Sequence, residues 1–155
     1  MQSIPLIAID IDKTIWFGEK WEDFGYAKSY LEMGLSDRYA IASLNLLSKK
    51  YKIAYVTGRR KFPPDFFNFY PRGIPFLKPS RLYYTPEWKR TAFKRLQQQY
   101  DVRYFFDDRD DNLAVAKELG IKGIKITRKE DWIPIYDWAW KEVLQSSYNQ
   151  NHSFL

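Results

Sequence analysis

Cysteine is missing from this 155-residue chain, which excludes disulfides, zinc–thiolate sites and thiol nucleophiles together. Histidine is almost missing. His152 stands alone in the polar tail SSYNQNHSFL, and that rules out His-cluster metal centres and Ser-His-Asp triads. No apolar run is long enough to span a bilayer, and the N-terminus lacks the basic, apolar and small-residue succession of a signal peptide. A cytoplasmic protein is the expectation. Dense basic tracts are lacking too: the formal charge of +6 comes from Lys and Arg spread along the chain, so it leans only weakly toward an anionic partner. No GxxxxGK[ST] loop occurs, which argues against P-loop kinase chemistry.

What is present is an ordinary globular composition, 45% hydrophobic and 28% charged, in a chain long enough to bury one core. A single domain over residues 1–155 is expected. The aromatic share, 19%, is high; rings in the core account for it most simply, and a ring-lined groove is the alternative.

Five short apolar runs stand out: PLIAI (5–9), YKIAYV (51–56), RLYYT (81–85), VRYFF (102–106) and IKGIKI (121–126). Most lack strict alternation, as strands covered on both faces do. Helical periodicity fills the gaps. SDRYAIASLNLLSKK (36–50) opens with a Ser cap and closes with lysines, matching the helix dipole. TPEWKRTAFKRLQQQY (85–100) begins with Thr85 and Pro86, a cap followed by a residue suited to the first turn. DDNLAVAKELG (110–120) starts on acids and ends at Gly120, a C-terminal cap. The C-terminal WIPIYDWAWKEVL reads as a helix whose tryptophans either pack on the sheet or mediate dimerisation. Strand–helix alternation of this kind predicts an α/β, three-layer sandwich with a mostly parallel Rossmann-like sheet. One stretch resists the scheme: KFPPDFFNFYPRGIPFLKPS (61–80), with five prolines, reads as an ordered loop packed by its own rings.

Chemistry concentrates where strands end. PLIAIDIDKTIW closes a greasy run on Asp10 and Asp12. On extended backbone, residues i and i+2 point the same way, so the two carboxylates would repel by roughly 4 kcal/mol at ~4 Å in a partly buried site. A cation, a shared proton or a catalytic task must offset that cost. The second strand ends in Val56-Thr57-Gly58-Arg59, and the fourth in Asp107-Asp108-Arg109-Asp110-Asp111-Asn112. Each has a bland reading, as a cap, a tight turn or an acidic helix start. All three at the ligand-binding end of one sheet are harder to dismiss.

This set resembles the haloacid dehalogenase (HAD) superfamily. Its signature is DxDx[TV] after strand one, a hydrophobic run ending in Thr or Ser after strand two, a lysine further on, and an acidic DD or GDxxxD after strand four. The likeness runs from Pro5 to Ile126. It implies a magnesium-dependent phosphohydrolase working through an aspartyl-phosphate. Asp10 would be the nucleophile and Asp12 the general acid and base, tasks that suit carboxylates. Mg2+ favours hard oxygen ligands and would be held by the Asp10 carboxylate, the Asp12 carbonyl and Asp108, with Asp107 beside it and Asp111 as the outer acid. Asn112 competes with Asp111 for that last place. Thr57 would hydrogen-bond the phosphoryl group, and Thr14, Gly58 and Arg59 would line the substrate. The signature lysine fits Lys89 best, with Lys78 as runner-up; it would neutralise charge on nucleophile and transferring group. The residue after Asp12 is commonly glycine in this superfamily, whereas here it is Lys13.

Many HAD proteins insert a cap domain. Here the gap after the first motif leaves room for a short flap over about 16–35 and the second gap for the proline–aromatic loop over about 61–80, so no large cap is expected and the site should be open. Within the superfamily, YDVRYFFDDRDDNLAVAKELGI most resembles the phosphatase domains of phage polynucleotide kinase-phosphatases, which remove 3′-phosphates from nucleic acid ends. An open site, positive charge and exposed rings suit such a substrate. A small phosphate ester and a phosphoprotein are the competing substrates, and a non-catalytic HAD-like binding protein is the competing class. A signalling receiver domain fits less well, since its phospho-accepting aspartate stands alone on a middle strand.

Overall fold

The computed structural model describes residues 3–17 and 38–152 of the chain. Strands β1 (Ile4–Ile9), β2 (Lys52–Thr57), β3 (Ile74–Leu77), β4 (Tyr100–Asp107) and β5 (Lys122–Lys125) form one sheet in the order β3-β2-β1-β4-β5. Every pairing is parallel. The helices are α1 (Arg38–Leu47), α2 (Phe66–Phe69), α3 (Thr85–Gln97), α4 (Asp110–Glu118) and α5 (Trp132–His152).

Strand periodicity sorts the core into two layers. Ile7 and Ile9 of β1 and Ile53 and Tyr55 of β2 face α1 and α5, meeting Leu44, Leu47, Trp132 and Ala139. Leu6, Ala8, Ala54 and Val56 face the other way, toward Phe93 and Leu96 of α3 and Val115 and Ala116 of α4. Both faces of β1 are therefore dry, which is why its sequence shows no alternation. Burial of each large side chain such as Leu6, Ile7 or Ile9 contributes about 1.5–3 kcal/mol. In β4 the rhythm breaks once: Val102 pairs with Leu6 and Tyr104 with Ile7, so Arg103 is an extra residue. Such a bulge resets the alternation and puts Val102 and Tyr104, two residues apart, on opposite layers.

The third strand lies elsewhere than the sequence suggests. RLYYT is no strand: residues 81–84 form a turn, and Thr85 opens α3. The strand is Ile74–Leu77, inside the proline–aromatic stretch, and it pairs with β2 alone. Pro75 is tolerated because an edge strand has one side free of ladder bonds. Gly73 lets this strand approach, since a Cβ there would stand 2.7 Å from the Ile53 carbonyl oxygen. The rest of 61–80 folds into α2 and a ring cluster, with Phe62, Phe66 and Phe67 edge-on to Tyr55 and Tyr70 stacked on Phe66 at 4.8 Å.

Helix ends follow local chemistry. Pro86 sits in the first turn of α3, with Glu87 beside it and Lys94 and Arg95 in the last turn, all matched to the helix dipole. Gly120, at φ +77°, takes the left-handed residue after α4. Of the expected helix over 36–50, residues 38–47 are helical and Lys49 and Lys50 lie past its end. The tryptophans of α5 do pack on the sheet: Trp132 stacks on Phe106 at 5.2 Å and Trp138 meets Tyr104 edge-on at 5.2 Å. Trp140 stays partly exposed. The flap expected over about 16–35 falls almost wholly outside the described residues, among which no large cap is present and no helix is long and apolar enough to cross a membrane.

Candidate functional site

From β1 the chain winds outward to β2 and β3, then returns to β4 on the other side of β1. The winding reverses between β1 and β4, and crevices at such a switch point bind ligands at the carboxyl ends of strands. Asp10 follows β1, Thr57 ends β2 and Asp107 ends β4. A cleft of about 820 Å3 opens there, and Asp10, Asp12, Lys89, Asp108 and Asn112 are among the residues lining it.

The loop after β1 is tight. The amides of Thr14, Ile15 and Trp16 all point at the Ile11 carbonyl, 2.9–3.2 Å away, and Lys13 N donates to Trp16 O at 2.6 Å. This turn forces Lys13 to φ 61°, a left-handed conformation that costs an L-residue about 1–2 kcal/mol and glycine nothing. With lysine rather than glycine here, this chain accepts strain and places an exposed ammonium at the cleft.

The two acids of the DxD motif meet different cations. Asp10, buried, receives Lys89 Nζ on Oδ1 at 2.9 Å and the Thr14 hydroxyl on Oδ2 at 3.2 Å. Asp12 Oδ1 accepts from Arg59 Nη1 at 2.9 Å. Their mutual repulsion is thus offset twice. Lys89, 1% exposed, also reaches Asp107 Oδ2 at 2.6 Å. Asp107 is held on every side: Asn112 Nδ2 donates to Oδ2 at 3.2 Å and the Arg109 amide to Oδ1 at 2.9 Å.

Electrostatics in this cluster are unbalanced. Burial pushes the Asp10 carboxyl well above the usual carboxylate range; Lys89 opposes the shift, while Asp107 and Asp12 add to it. Asp108 is raised by burial and then by Asp107. Burial works against the Lys89 ammonium, yet Asp10 and Asp107 outweigh it and its pKa rises. One ammonium therefore serves a site richer in carboxylates than in cations. Ligand oxygens of Asp10, Asp107 and Asp108 lie within 4.8 Å of one another. Beside them, Asn112 is 1% exposed and its Oδ1 accepts no hydrogen bond among the described residues. Hard oxygens, surplus negative charge and an orphaned amide oxygen all fit a magnesium ion.

Several expected residues stand apart from this cluster. Thr14 and Thr57 are fully buried and are not part of the cleft lining. Thr14 supports Asp10 rather than facing the cleft, and Thr57 Oγ1 accepts the Arg59 amide at 3.1 Å while its carbonyl takes Trp88 Nε1. Gly58 and Arg59 do line the cleft. Lys78 is spent on Thr85 Oγ1 and the Tyr83 carbonyl, at 3.0 and 3.1 Å. Asp111 is clamped by Arg109 at 3.1 and 2.8 Å and lies outside the acid cluster. Arg81 and Tyr84, read from the sequence as part of a strand, line the cleft instead. Proline spacing alone gave no signal for this: prolines at 79 and 86 bracket RLYYT, but prolines at 71 and 79 bracket the strand Ile74–Leu77 as well.

No family model matches the chain, and no curated protein sequence does. Solved structures do. A chain of the Pnkp1/Rnl/Hen1 RNA repair complex aligns with 80% of this one at TM-score 0.62 and 18% identity, over 42% of its own length. This chain thus spans less than half of that one. The HAD domain of the effector protein Lem4 from Legionella pneumophila aligns over 93% of this chain and 95% of its own, at TM-score 0.60 and 17% identity. A HAD family enzyme from Bacteroides thetaiotaomicron, solved as a magnesium complex, aligns over 87% and 99%, at TM-score 0.55 and 15% identity.

Proposed function

The fold being haloacid dehalogenase-like, we propose that this chain is a magnesium-dependent phosphomonoester hydrolase acting through an aspartyl-phosphate. An Asp10 oxygen attacks phosphorus while Asp12 gives a proton to the leaving ester oxygen, so the P–O bond breaks and the alcohol departs. Asp12 then takes a proton from a water that attacks the acyl phosphate, releasing inorganic phosphate and restoring Asp10. Lys89 holds the nucleophile and meets charge building on the phosphoryl group. Thr14 orients Asp10, Asp107 orients Lys89, and Gly58, Arg59 and the Thr57 turn shape the phosphate pocket. Magnesium, when held by Asp10, Asp108, the Asp12 carbonyl and the Asn112 amide oxygen, would neutralise charge on the transferring group. Asn112 replaces Asp111 as the outer residue because its oxygen lacks a partner and the Asp111 carboxylate does not.

One observation carries this reading: a buried ammonium standing between Asp10 and Asp107, at 2.9 and 2.6 Å, on the wall of an open cleft. The openness of that cleft among the described residues and the cations around it favour a bulky substrate, a polynucleotide 3′-phosphate ahead of a small ester. Likeness to a chain of an RNA repair complex supports the same choice. A second reading, a HAD-like binding protein without turnover, draws on the Arg59–Asp12 pair, which engages the carboxylate that would serve as general acid. Release of inorganic phosphate from a 3′-phosphorylated oligonucleotide and from a chromogenic phosphate ester, with and without magnesium, separates them. Turnover that needs magnesium and disappears in Asp10→Asn is expected; turnover that survives Asp10→Asn overturns the assignment.

A further inference from the structure

The cleft has a second wall that this chemistry leaves unused. Leu82, Tyr83 and Tyr84, between β3 and α3, are 95%, 54% and 64% exposed. They are the only three consecutive large apolar residues so exposed among those described. The turn that carries them is nevertheless held firmly. Leu82 N and Tyr83 N bond Ser80, Lys78 Nζ grips the Tyr83 carbonyl, and Tyr84 O accepts Trp88 N as α3 begins. Rings on a fixed turn lose little freedom when a ligand covers them.

Position and charge say what that ligand is. Arg81 and Tyr84 line the same cleft as Asp10, as do Arg60 and Lys61, and no acid occurs in segments 58–62 or 78–84. Tyr84 caps the helix that carries Lys89, five residues on, or roughly 7.5 Å along the axis. Flat rings beside repeated cations match a ligand in which a planar face and a negative charge recur in every unit. A phosphopeptide brings one phosphate and few planar groups.

We propose that the Arg81–Tyr84 turn is the platform on which a single-stranded polynucleotide lies as its terminal phosphate enters the cleft. Tyr84 and Tyr83 stack on the bases nearest the end, while Arg81, Arg60 and Lys61 face its backbone phosphates. This rests on the reading of the cleft as a phosphoryl-transfer site, so the test uses binding as well as turnover.

In the Asp10→Asn protein, anisotropy of 5′-fluorescein-labelled eight-residue thymidine and uridine strands with 3′-phosphates measures affinity without hydrolysis. Tyr83→Ala and Tyr84→Ala should each raise Kd about fivefold or more, with Phe at either position restoring it, and Arg81→Ala should lower the salt slope by about one. Alanine variants that bind like the parent, phenylalanine variants that fail to restore, or a phosphoserine peptide of equal charge that competes as well as the strand would each overturn the platform. Ring-dependent binding in a protein that hydrolyses no phosphate ester would keep the platform and sink the phosphatase. Ester hydrolysis with ring-independent binding would do the reverse.

Discussion

Replacing Lys89 with methionine keeps the side chain as far as Cε and removes the ammonium with its charge. In the native protein the ammonium donates to Asp10 and Asp107 at 2.9 and 2.6 Å, and all three side chains are buried. Hydrogen bonds to charged groups contribute about 1.5–3 kcal/mol each, and removing one member of a buried ion pair costs about 3–5 kcal/mol because its partner stays behind uncompensated. The two routes give about 3–6 and about 3–5 kcal/mol, a large part of the roughly 5–15 kcal/mol that holds a domain together. Urea unfolding in EDTA should therefore move to a lower midpoint with an unchanged slope. Magnesium should raise the variant's midpoint more than the wild type's, since the dication then meets acids that have lost their lysine; a saturation of 100 Kd corresponds to about 2.7 kcal/mol. The double variant Asp10→Asn/Lys89→Met should be less unstable than the sum of its parts. A Lys89→Met protein within about 1 kcal/mol of wild type in EDTA would refute the reasoning, because the ammonium would then not be what balances the two acids.

Other consequences are simpler to measure. Lys13→Gly removes left-handed strain at φ 61° and should stabilise the fold by up to about 1 kcal/mol in urea unfolding; a lower midpoint would mean that the lysine side chain holds the turn. Asn112→Ala should weaken magnesium affinity, read by calorimetry, about tenfold or more, whereas Asp111→Ala, which loses the pair with Arg109 and the bond from the Asn112 amide but no oxygen facing the buried acids, should change it less. Trp132→Phe keeps the stack on Phe106 but deletes the 2.7 Å bond from Nε1 to the Thr14 carbonyl. Leaving that buried oxygen unpaired should cost about 1–3 kcal/mol, with fragment-resolved hydrogen exchange rising first in the loop after β1.

Four of the five strands, their parallel arrangement and the acids at their carboxyl ends were legible in the chain itself, because each shows as a local pattern. Ile4–Ile9 is a greasy run that stops on a carboxylate, and no partner is needed to see it. The third strand was not legible: Pro75 looks hostile to a sheet until one knows that it sits on an edge, while RLYYT has strand-like residues but is bracketed by prolines and left in solvent. The acidic and basic residues of the site could be shortlisted from motif spacing, but not matched to one another. Lys89 meets an aspartate 79 residues away and another 18 away, while Lys78, the runner-up along the sequence, turns to its own loop. Asp111 and Asn112 are neighbours in sequence, yet one faces Arg109 and the other the buried acids. Local pattern follows from the backbone's own periodicity; the pairing of charges follows from distances that exist only once the sheet and its helices have packed.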